Sequence, residues 1–405
     1  MRKNVLCIGL LSWEGDYLKS TVQLMKELSG RHQVLYVEYT YTWLDVWRGW
    51  RKRGPAPVRR ILGFSPRLRE VEGKQGARLH VLTLPPFIPA NGLPARAHDI
   101  VQKLNAVLAL WAIRRAMRAL EMHRPVVVNA FQPGLGLAMK GKLGESLLAY
   151  YCYDEISAAP WVGKHGARLE KAFLRKADVT VTTSTHLQRE KAKETPHCFV
   201  VKNGVDLHQF RAAAHPAPIP EKEKYPRIAG YIGSVDDRLD FELLDQVIRS
   251  MPDTLFVFIG RVLSERGRSL LERHPNAVFL GPKPPEELPA YVWQFGAGLI
   301  PFVRNKLTAA IYPMKINEYL ALGKGVVATP FGDLSDFEPW ISIAATPASF
   351  VQELRSALED RSIDLVQARM ALAERHSWEN RGNELERILG LSDPAQDSAF
   401  PEDFA

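Results

Sequence analysis

A lysine and a glutamate stand one helical turn apart in a helix predicted late in the chain. Lys315 and Glu318 lie in the stretch KLTAAIYPMKINEYLALGKGVVATPFGD, residues 306–333. Apolar residues recur at helical spacing over 314–322, and Pro313 suits the first helical position. The unpaired N–H groups and the positive dipole of a helix start favour an anion, and a lysine in the first turn adds to that preference. A phosphate there would leave the glutamate to accept hydrogen bonds from sugar hydroxyls.

The same two residues also fit an ordinary amphipathic helix. In that interpretation Lys315 and Glu318 face solvent and bind nothing. Their spacing alone does not choose between a phosphate site and a solvated helix face, so both interpretations stand at the level of the sequence.

Two further acids follow a predicted buried strand over 147–151. Asp154 and Glu155 come just after this strand. Ligands of doubly wound α/β sheets bind beyond the carboxyl ends of the strands, so these carboxylates are candidate site residues. The alternative is that Asp154 only caps the turn that follows.

Length and composition restrict the class of protein. The chain has 405 residues, enough for two domains, and a formal net charge of +8, which favours acidic partners such as nucleotides, nucleic acid or anionic lipid. Its three cysteines match neither a metal site nor a disulfide framework, which favours a reducing cytosol. No apolar run approaches the ~20 residues that span a bilayer. We expect a cytoplasmic protein, soluble or peripheral at the inner face of the plasma membrane.

Strands and helices alternate in two successive series, which predicts an α/β protein. A stretch rich in proline, alanine and charge separates the two series and is typical of a linker. The expected division is a first Rossmann-like domain over 1–212, a linker over 213–225, a second Rossmann-like domain over 226–375, a helix over 376–391 and a flexible tail over 392–405. Two such domains would define a cleft.

The segment 43–78 combines tryptophans with many cations. It carries Trp43, Trp47 and Trp50, and its basic residues include Arg48, Arg51, Lys52, Arg53, Arg59, Arg60, Arg67 and Arg69. This composition suits a membrane interface with anionic lipid. The alternative is a solvated basic insertion whose tryptophans pack on their own domain. No nucleic-acid motif accompanies the charge, so we expect no nucleic-acid partner.

Three motifs, taken in order, resemble glycosyltransferase family 4. They are Asn203–Asp206 after a strand, Tyr231–Gly233 at the start of the second series, and the helix of Glu318 followed by GKGVVAT. Within the family the chain looks most like cell-surface polysaccharide glycosyltransferases of the teichuronic-acid type. The resemblance implies the GT-B fold, with two Rossmann-like domains facing a central cleft and a C-terminal helix around Trp378 that crosses back to the first domain.

The resemblance also implies an activity. A member of this family would transfer a sugar from a nucleoside diphosphate sugar, UDP- or GDP-linked, to a glycan or lipid-linked acceptor in cell-surface polysaccharide biosynthesis. It would do so with retention at the anomeric carbon, without a metal ion and without any other cofactor.

Site residues follow from the resemblance by position. Glu318 would hold the ribose hydroxyls, and the expected catalytic residues are Asp154, Glu155, Arg238 and Lys315, of which the last two would hold the diphosphate. The rest of the donor site would comprise Gly233, Ser234, Arg261, Tyr312, Pro313 and Met314. The acceptor side would comprise Gly9, Ser12, Trp13, Glu14 and Gly15.

Two positions depart from the family pattern. Ala310 stands where the family has the first of two glutamates, and Ser234 stands where it has an arginine. These departures motivate two alternatives, a non-catalytic GT-B scaffold of a polysaccharide-assembly complex and a nucleotide-sugar epimerase of the same fold.

Overall fold

The chain divides into two compact α/β units in the computed structural model, which describes residues 2–14, 19–51, 54, 56–158, 164–211 and 215–392. Among the described residues, 2–14, 19–202 and 381–392 form the first unit and 203–380 form the second. Each unit is built on its own sheet of predominantly parallel strands. The predicted fold class, two Rossmann-like α/β domains, is confirmed.

The first unit contains an eight-stranded sheet. Its strands are β1 (Asn4–Gly9), β2 (Gln33–Val37), β3 (Leu68–Glu72), β4 (Arg78–Leu82), β5 (Val126–Ala130), β6 (Leu147–Cys152), β7 (Val179–Thr182) and β8 (Cys198–Val200). Their order across the sheet is β3-β4-β2-β1-β5-β6-β7-β8, and every pair is parallel except β3 with β4. The central strands read as nearly continuous apolar runs because both of their faces are buried.

Helices cover this sheet. They are α1 (Ser20–Ser29), α2 (Trp43–Trp50), α3 (Val58–Ile61), α4 (Ala95–Ala119), α5 (Pro133–Met139), α6 (Gly166–Leu174) and α7 (Thr185–Lys191). The long helix α4 contributes Ala106, Ala109 and Ile113 to the same apolar core as Leu6 and Leu35 of the sheet.

The basic segment 43–78 forms α2, α3 and the antiparallel edge strand β3. Its three tryptophans, Trp43, Trp47 and Trp50, are all exposed, Trp50 to 83%. Trp43 and Trp47 are covered over about half of their surface, so none of the three tryptophans is packed fully on its own domain. The capping box between Thr42 and Asp45 fixes the start of α2 but leaves the aromatic face of the helix uncovered.

The second unit contains a six-stranded parallel sheet. Its strands are β9 (Arg227–Ile232), β10 (Thr254–Ile259), β11 (Ala277–Phe279), β12 (Ala297–Ile300), β13 (Gly325–Ala328) and β14 (Ser342–Ile343), in the order β11-β10-β9-β12-β13-β14. The helices that begin in this unit are α8 (Leu207–Arg211), α9 (Phe241–Ser250), α10 (Glu265–Leu271), α11 (Leu288–Val292), α12 (Lys306–Ala309), α13 (Met314–Leu320), α14 (Pro347–Glu359), α15 (Ile363–Arg375) and α16 (Trp378–Ile388).

The boundary between the units differs from the prediction, because residues 203–225 group with the second unit. Ile219 is buried, the N–H of Ala217 donates to the carbonyl of Ala290 at 3.2 Å, and the Gln294 amide donates to the carbonyl of Ala217 at 2.6 Å. A linker over 213–225 is therefore wrong. The proline-rich stretch packs on the second unit because the Ile219 side chain is buried and the backbone of Ala217 is hydrogen-bonded to α11 and the residues that follow it. Residues 212–214 lie outside the described residues.

The last helix, α16, begins in the second unit, and its residues from Arg381 onward group with the first. In the part of α16 that follows Arg381, the Glu386 carboxylate forms an ion pair with Arg31 at 2.7 Å. It also makes a short hydrogen bond with the ring of His32. The predicted tail over 392–405 lies outside the described residues apart from Ser392. No helix in the described part of the chain is long and apolar enough to cross a membrane.

Candidate functional site

The helix that carries Lys315 and Glu318 is α13, and it is shorter than expected. It runs from Met314 to Leu320, and Pro313 occupies the N-cap position with an extended backbone instead of the first helical position. The helix ends before Leu322 because the chain must turn into β13. Both candidate residues nevertheless lie on the helix, one turn apart.

The side chain of Lys315 crosses the end of β9 at Gly233. A Cβ on this glycine would lie 2.1 Å from Cε of Lys315, and the glycine has a φ of +136°, which favours a residue without a side chain. The lysine Nζ is 6.0 Å from the centre of the Tyr231 ring. Gly233 is therefore needed at this point so that the ammonium can reach the carboxyl end of the sheet.

Burial makes both charges on α13 unfavourable. It lowers the pKa of Lys315, and the charge of Arg238 lowers it further, while Glu318 and Asp236 act in the opposite direction. Burial also raises the pKa of Glu318, against the effect of Lys315. Neither Lys315 nor Glu318 makes a side-chain hydrogen bond or ion pair with any residue that the structure describes. The solvated-face interpretation is wrong for Glu318, which is buried.

The loop after β9 brings a second cation to the same place. Asp236 holds Arg238 through two hydrogen bonds, from Nε at 2.8 Å and from Nη2 at 2.6 Å. The carbonyl of Ser234 accepts from the Tyr231 hydroxyl at 3.0 Å, so Ser234 lies beside the aromatic ring under Lys315. The carbonyl of Arg261 accepts from the N–H of Val235 at 2.8 Å, and its side chain is exposed.

Another predicted donor contact, Tyr312, lies deeper. The ring of Tyr312 is buried, with its centre 5.2 Å from that of Phe337, and its hydroxyl lies 3.4 Å from Nδ1 of His376. Its carbonyl accepts from the Asn203 amide at 3.1 Å. The side chain of Ala310 is also buried. The described contacts thus give Tyr312 a packing role, whereas Pro313 and Met314 begin the site helix.

Glu155 lies in a buried ionic cluster of the first unit. Lys191 Nζ is 3.2 Å from Glu155 and 2.8 Å from Glu170, and the Ser157 hydroxyl donates to Glu155 at 2.6 Å. Burial raises the pKa of Glu155, but the bonds from Ser157 and the charge of Lys191 lower it by more, so the net pKa lies below the usual value. The Asp154 carboxylate accepts from the backbone N–H of the next residue, Glu155, at 2.8 Å.

The predicted acceptor loop follows β1. A Cβ on Gly9 would collide with the hydroxyl of Tyr36, which donates to the carbonyl of Leu11 at 2.8 Å. Lys19 donates to the carbonyls of Ser12 and Glu14, both at 2.6 Å. The predicted contact Gly15 lies outside the described residues.

Trp13 connects this loop to a polar cluster that was not predicted. The backbone N–H of Trp13 donates to the Glu38 carboxylate at 3.3 Å. The Arg69 guanidinium lies 3.4 Å from the same carboxylate and 3.2 Å from that of Glu14. Arg60 and Thr83 also contact Glu38. Burial and, second to it, the negative charge of Glu38 raise the pKa of Tyr41 to about 12. Glu38 directly follows strand β2. Asp154 was selected as a candidate because an acidic residue follows a buried strand, and the same criterion could have identified Glu38.

Comparison with known proteins agrees with the predicted resemblance. No protein-family model matches the chain. A Bacillus subtilis (strain 168) protein, provisionally named as the teichuronic acid biosynthesis glycosyltransferase TuaH, is 29% identical over 169 residues, which cover 40% of this chain and 42% of that protein. The match thus spans about two fifths of the curated relative.

Solved structures match over nearly the whole chain. Sucrose-phosphate synthase from Thermosynechococcus elongatus gives a TM-score of 0.69 at 14% identity, covering 98% of this chain and 100% of that one. The α,α-trehalose 6-phosphate synthase from Burkholderia multivorans gives 0.66 at 13% identity, with 98% and 100% covered. Anabaena Alr3699/HepE, in complex with UDP and glucose, gives 0.63 at 13% identity, with 96% and 100% covered. The chain therefore has the GT-B fold that the motifs predicted.

Removing either unpaired charge of α13 should stabilise the free protein. We expect Lys315→Met and Glu318→Gln each to raise the free energy of unfolding by roughly 1 kcal/mol, since the half-buried ammonium and the buried carboxyl group have no hydrogen-bond or ion-pair partner among the described residues. Urea unfolding at neutral pH measures this. As a control, Lys324→Met should destabilise, because Lys324 donates to the carbonyl of Trp293 at 2.6 Å. A loss of stability in both site variants would show that these charges have structural partners.

Removing the cation of the Glu155 cluster should have the opposite effect. Lys191→Met leaves Glu155 and Glu170 buried without a counter-ion, so we expect a loss of roughly 3–5 kcal/mol in the free energy of unfolding. Lys193→Met, which breaks an exposed pair with Glu190, should cost at most about 1 kcal/mol.

The pH dependence of this loss follows from the carboxyl groups. In the wild type the depressed pKa of Glu155 contributes stability that is present at neutral pH and is lost as the pH falls through its folded pKa. The difference in the free energy of unfolding between the wild type and Lys191→Met should therefore become smaller as the pH falls. Equal stability of the two proteins at neutral pH would contradict the structural role of the cluster.

Proposed function

We propose that the protein is a glycosyltransferase that moves a sugar from a nucleoside diphosphate sugar to a glycan or lipid-linked acceptor in cell-surface polysaccharide biosynthesis. One observation carries the proposal: an ammonium and a carboxylate, Lys315 and Glu318, lie one turn apart at the end of a parallel sheet without partners among the described residues. An activated sugar would supply both missing partners. The similarity to TuaH and to HepE in complex with UDP supports the same class of reaction.

The donor would bind to the second unit through its diphosphate and its ribose. Lys315 would contact the diphosphate from one side, and Arg238 from the loop after β9 would add a second positive charge. Glu318, one turn further along α13, would accept hydrogen bonds from the ribose hydroxyls. The exposed side chain of Arg261 and the backbone of Gly233 and Ser234 would complete the phosphate side.

The two cations would also act in the reaction. As the bond between sugar and phosphate breaks, negative charge builds on the leaving diphosphate. Fixed donors aimed at that charge stabilise the transition state, and losing one of them typically costs roughly 2.7–4 kcal/mol of barrier. We assign this role to Lys315 and Arg238. The diphosphate would leave on the face at which the acceptor enters, so the anomeric configuration would be retained without a protein nucleophile.

The acceptor would be recognised by the first unit. The loop of Ser12, Trp13 and Glu14, together with the cluster around Glu38, offers both carboxylates and cations to sugar hydroxyls or to an acceptor phosphate. In the described part of the chain no group of three or more histidine, cysteine, aspartate or glutamate side chains is arranged to hold a metal ion. Metal-independent transfer stays a prediction.

The segment 43–78 would bring the protein to an anionic membrane surface. Its exposed tryptophans lie beside the arginines of α2, and the Arg51 guanidinium is 4.2 Å from the centre of the Trp47 ring. Such pairs suit the interface between lipid headgroups and acyl chains. Peripheral binding at the cytoplasmic face would place the enzyme near a lipid-linked acceptor.

Titration calorimetry with UDP tests donor binding. We expect Glu318→Gln and Arg238→Ala each to weaken binding by roughly 1.5–3 kcal/mol, the range for hydrogen bonds to charged groups. Glu287→Gln, a change at an exposed glutamate of the same unit, is the matched control and should leave the affinity unchanged. GDP run in parallel identifies the preferred base. Wild-type affinity in both site variants would overturn the assignment of the donor site.

The affinity for UDP should also depend on pH. Because burial lowers the pKa of Lys315, binding should weaken as the pH rises through that value, below the pH at which an ordinary lysine loses its proton. In Lys315→Arg the guanidinium keeps its charge, so the weakening should disappear. The same pH profile in both proteins would exclude Lys315 as the diphosphate ligand.

A non-catalytic scaffold is the second candidate, and Ala310 favours it. The methyl group of Ala310 is buried where the family resemblance expects a glutamate that contacts the sugar. A scaffold would bind UDP but neither transfer nor hydrolyse the sugar. A panel of UDP- and GDP-sugars, tested with and without a membrane extract as acceptor source, decides between the two. The assay measures release of the nucleoside diphosphate, UDP or GDP, and release above that of Lys315→Met excludes the scaffold.

A further inference from the structure

The long helix α4 exposes an apolar stripe along one face. Ile100, Leu104, Val107 and Trp111 follow each other at intervals of four, three and four residues, so they share a face. Their exposed fractions lie between 49 and 67%, although the opposite face of α4 is packed into the core. A helix with two apolar faces, one of them uncovered, indicates a surface that meets something other than water.

The stripe ends at a groove. Trp111 forms one wall together with Arg115, and Phe64 and Arg67 from the loop before β3 form the other; the groove has a volume of about 500 Å³. Its floor is apolar, with Leu82, Ala112 and Ala116 among its lining residues. Aromatic and aliphatic walls that carry two guanidinium groups suit an amphiphile with a negative charge.

The charges around the groove have one sign. From Ile100 to Ala119, α4 contains no aspartate or glutamate, and its cations are Lys103, Arg114, Arg115 and Arg118. Arg67 donates from Nη2 to the carbonyl of Ile61 at 2.9 Å, while its buried Nε has no hydrogen-bond partner in the described part of the chain. Burial and the charge of Arg115 both lower the pKa of Arg67. An anion between the two guanidinium groups would relieve their repulsion.

The segment 87–88 connects the start of α2 to α4. The backbone N–H of Trp43 donates to the carbonyl of Phe87 at 3.0 Å, and the next residue, Ile88, is exposed. Asn105 of α4 holds the backbone of Ile88 through two hydrogen bonds, at 2.9 and 3.0 Å. The start of α2, Ile88 and α4 therefore lie close together in the first unit.

We propose that the groove between Phe64, Arg67, Trp111 and Arg115 binds the phosphate headgroup of an anionic phospholipid, with the α4 stripe resting on the acyl-chain layer. The guanidinium groups would contact the phosphate, and Trp111 and Phe64 would contact the glycerol and the first carbons of the chains. The inference deepens the proposed membrane contact by adding a specific lipid site outside α2. It does not depend on sugar transfer.

The experiment measures partitioning onto vesicles. Sedimentation of the full chain with phosphatidylcholine vesicles is compared with vesicles of phosphatidylcholine and phosphatidylglycerol in equal parts, at fixed ionic strength. Two variants address the groove: Arg115→Glu removes a cation, and Ala119→Trp fills the open end of the groove while leaving every cation in place. Arg266→Glu, a fully matched charge change at an exposed residue of the second unit, is the control.

We expect the wild type to prefer the vesicles with phosphatidylglycerol. Arg115→Glu should lose that preference by about tenfold because a cation near the surface is replaced by an anion. Ala119→Trp should lose about as much because the indole occupies the space that the headgroup needs. Arg266→Glu should stay within about twofold. General electrostatic attraction without a groove would leave Ala119→Trp unchanged, and this result would overturn the proposal. A double change of Trp47 and Trp50 to alanine separates the two ideas: if it alone abolishes binding, α2 docks to the membrane and the groove does not.

A soluble probe separates a lipid from a free phosphate. Calorimetry with monomeric dihexanoyl phosphatidylglycerol should show saturable binding that Ala119→Trp abolishes, whereas glycerol phosphate should bind at least about tenfold more weakly because it lacks the apolar contacts. Equal affinity for both ligands would identify a simple phosphate site. Absence of binding to the lipid, together with vesicle binding unaffected by the groove variants, would show that this surface serves another class of partner, such as a protein.

Discussion

The Lys315 side chain lies across Gly233 at the end of β9, and its ammonium has no hydrogen-bond or ion-pair partner among the residues that the structure describes. Gly233 is fixed because its N–H donates to the carbonyl of Ile259 at 2.7 Å, which joins the ends of two neighbouring strands. The Tyr231 ring lies below the ammonium, and its hydroxyl holds the next turn through Ser234. The lysine is therefore held close to a rigid sheet edge, where its pKa is lowered and its charge is incompletely compensated.

Two other cations in the described parts of the chain, Lys191 and Arg238, do have carboxylate partners. Lys191 satisfies two carboxylates at once, and Asp236 holds Arg238 through two parallel hydrogen bonds. The Lys191 cluster fixes local structure and leaves little for a ligand to add, whereas the Asp236 bonds orient an Arg238 side chain that is still partly exposed. Lys315 and Glu318 instead have no hydrogen-bond or ion-pair partner among the described residues, and incompletely compensated charges of this kind are unfavourable in a free protein. Such an exchange of stability for function is common at binding sites.

The sequence predicted the parts of the molecule that depend on local pattern. The α/β alternation, the strand before Gly233 and the turn of helix that carries Lys315 and Glu318 all follow from periodicity and from glycine placement. The linker was wrong because Ile219 and the backbone at Ala217 find partners far along the chain, beside α11. Proline content signals an irregular backbone, but it does not say whether that backbone is packed.

The polar cluster of the first unit escaped prediction for a related reason. Glu38 and Arg69 are separated by about thirty residues, and only the order of strands in the sheet brings them to one edge. The exposed stripe of α4 was hidden by the opposite effect: a helix with apolar residues on two faces looks like an ordinary core helix until its burial is known. Position in the sheet and exposure are tertiary properties, so neither could be read from spacing.

The pKa of Lys315, measured by NMR with isotope-labelled lysine and assigned with Lys315→Arg, tests the central claim most directly. The account predicts a value below those of the exposed lysines in the free protein and a rise when UDP is added, because the diphosphate supplies the missing counter-ion. An ordinary pKa in the free protein, or a low pKa that UDP leaves unchanged while binding elsewhere, would contradict it.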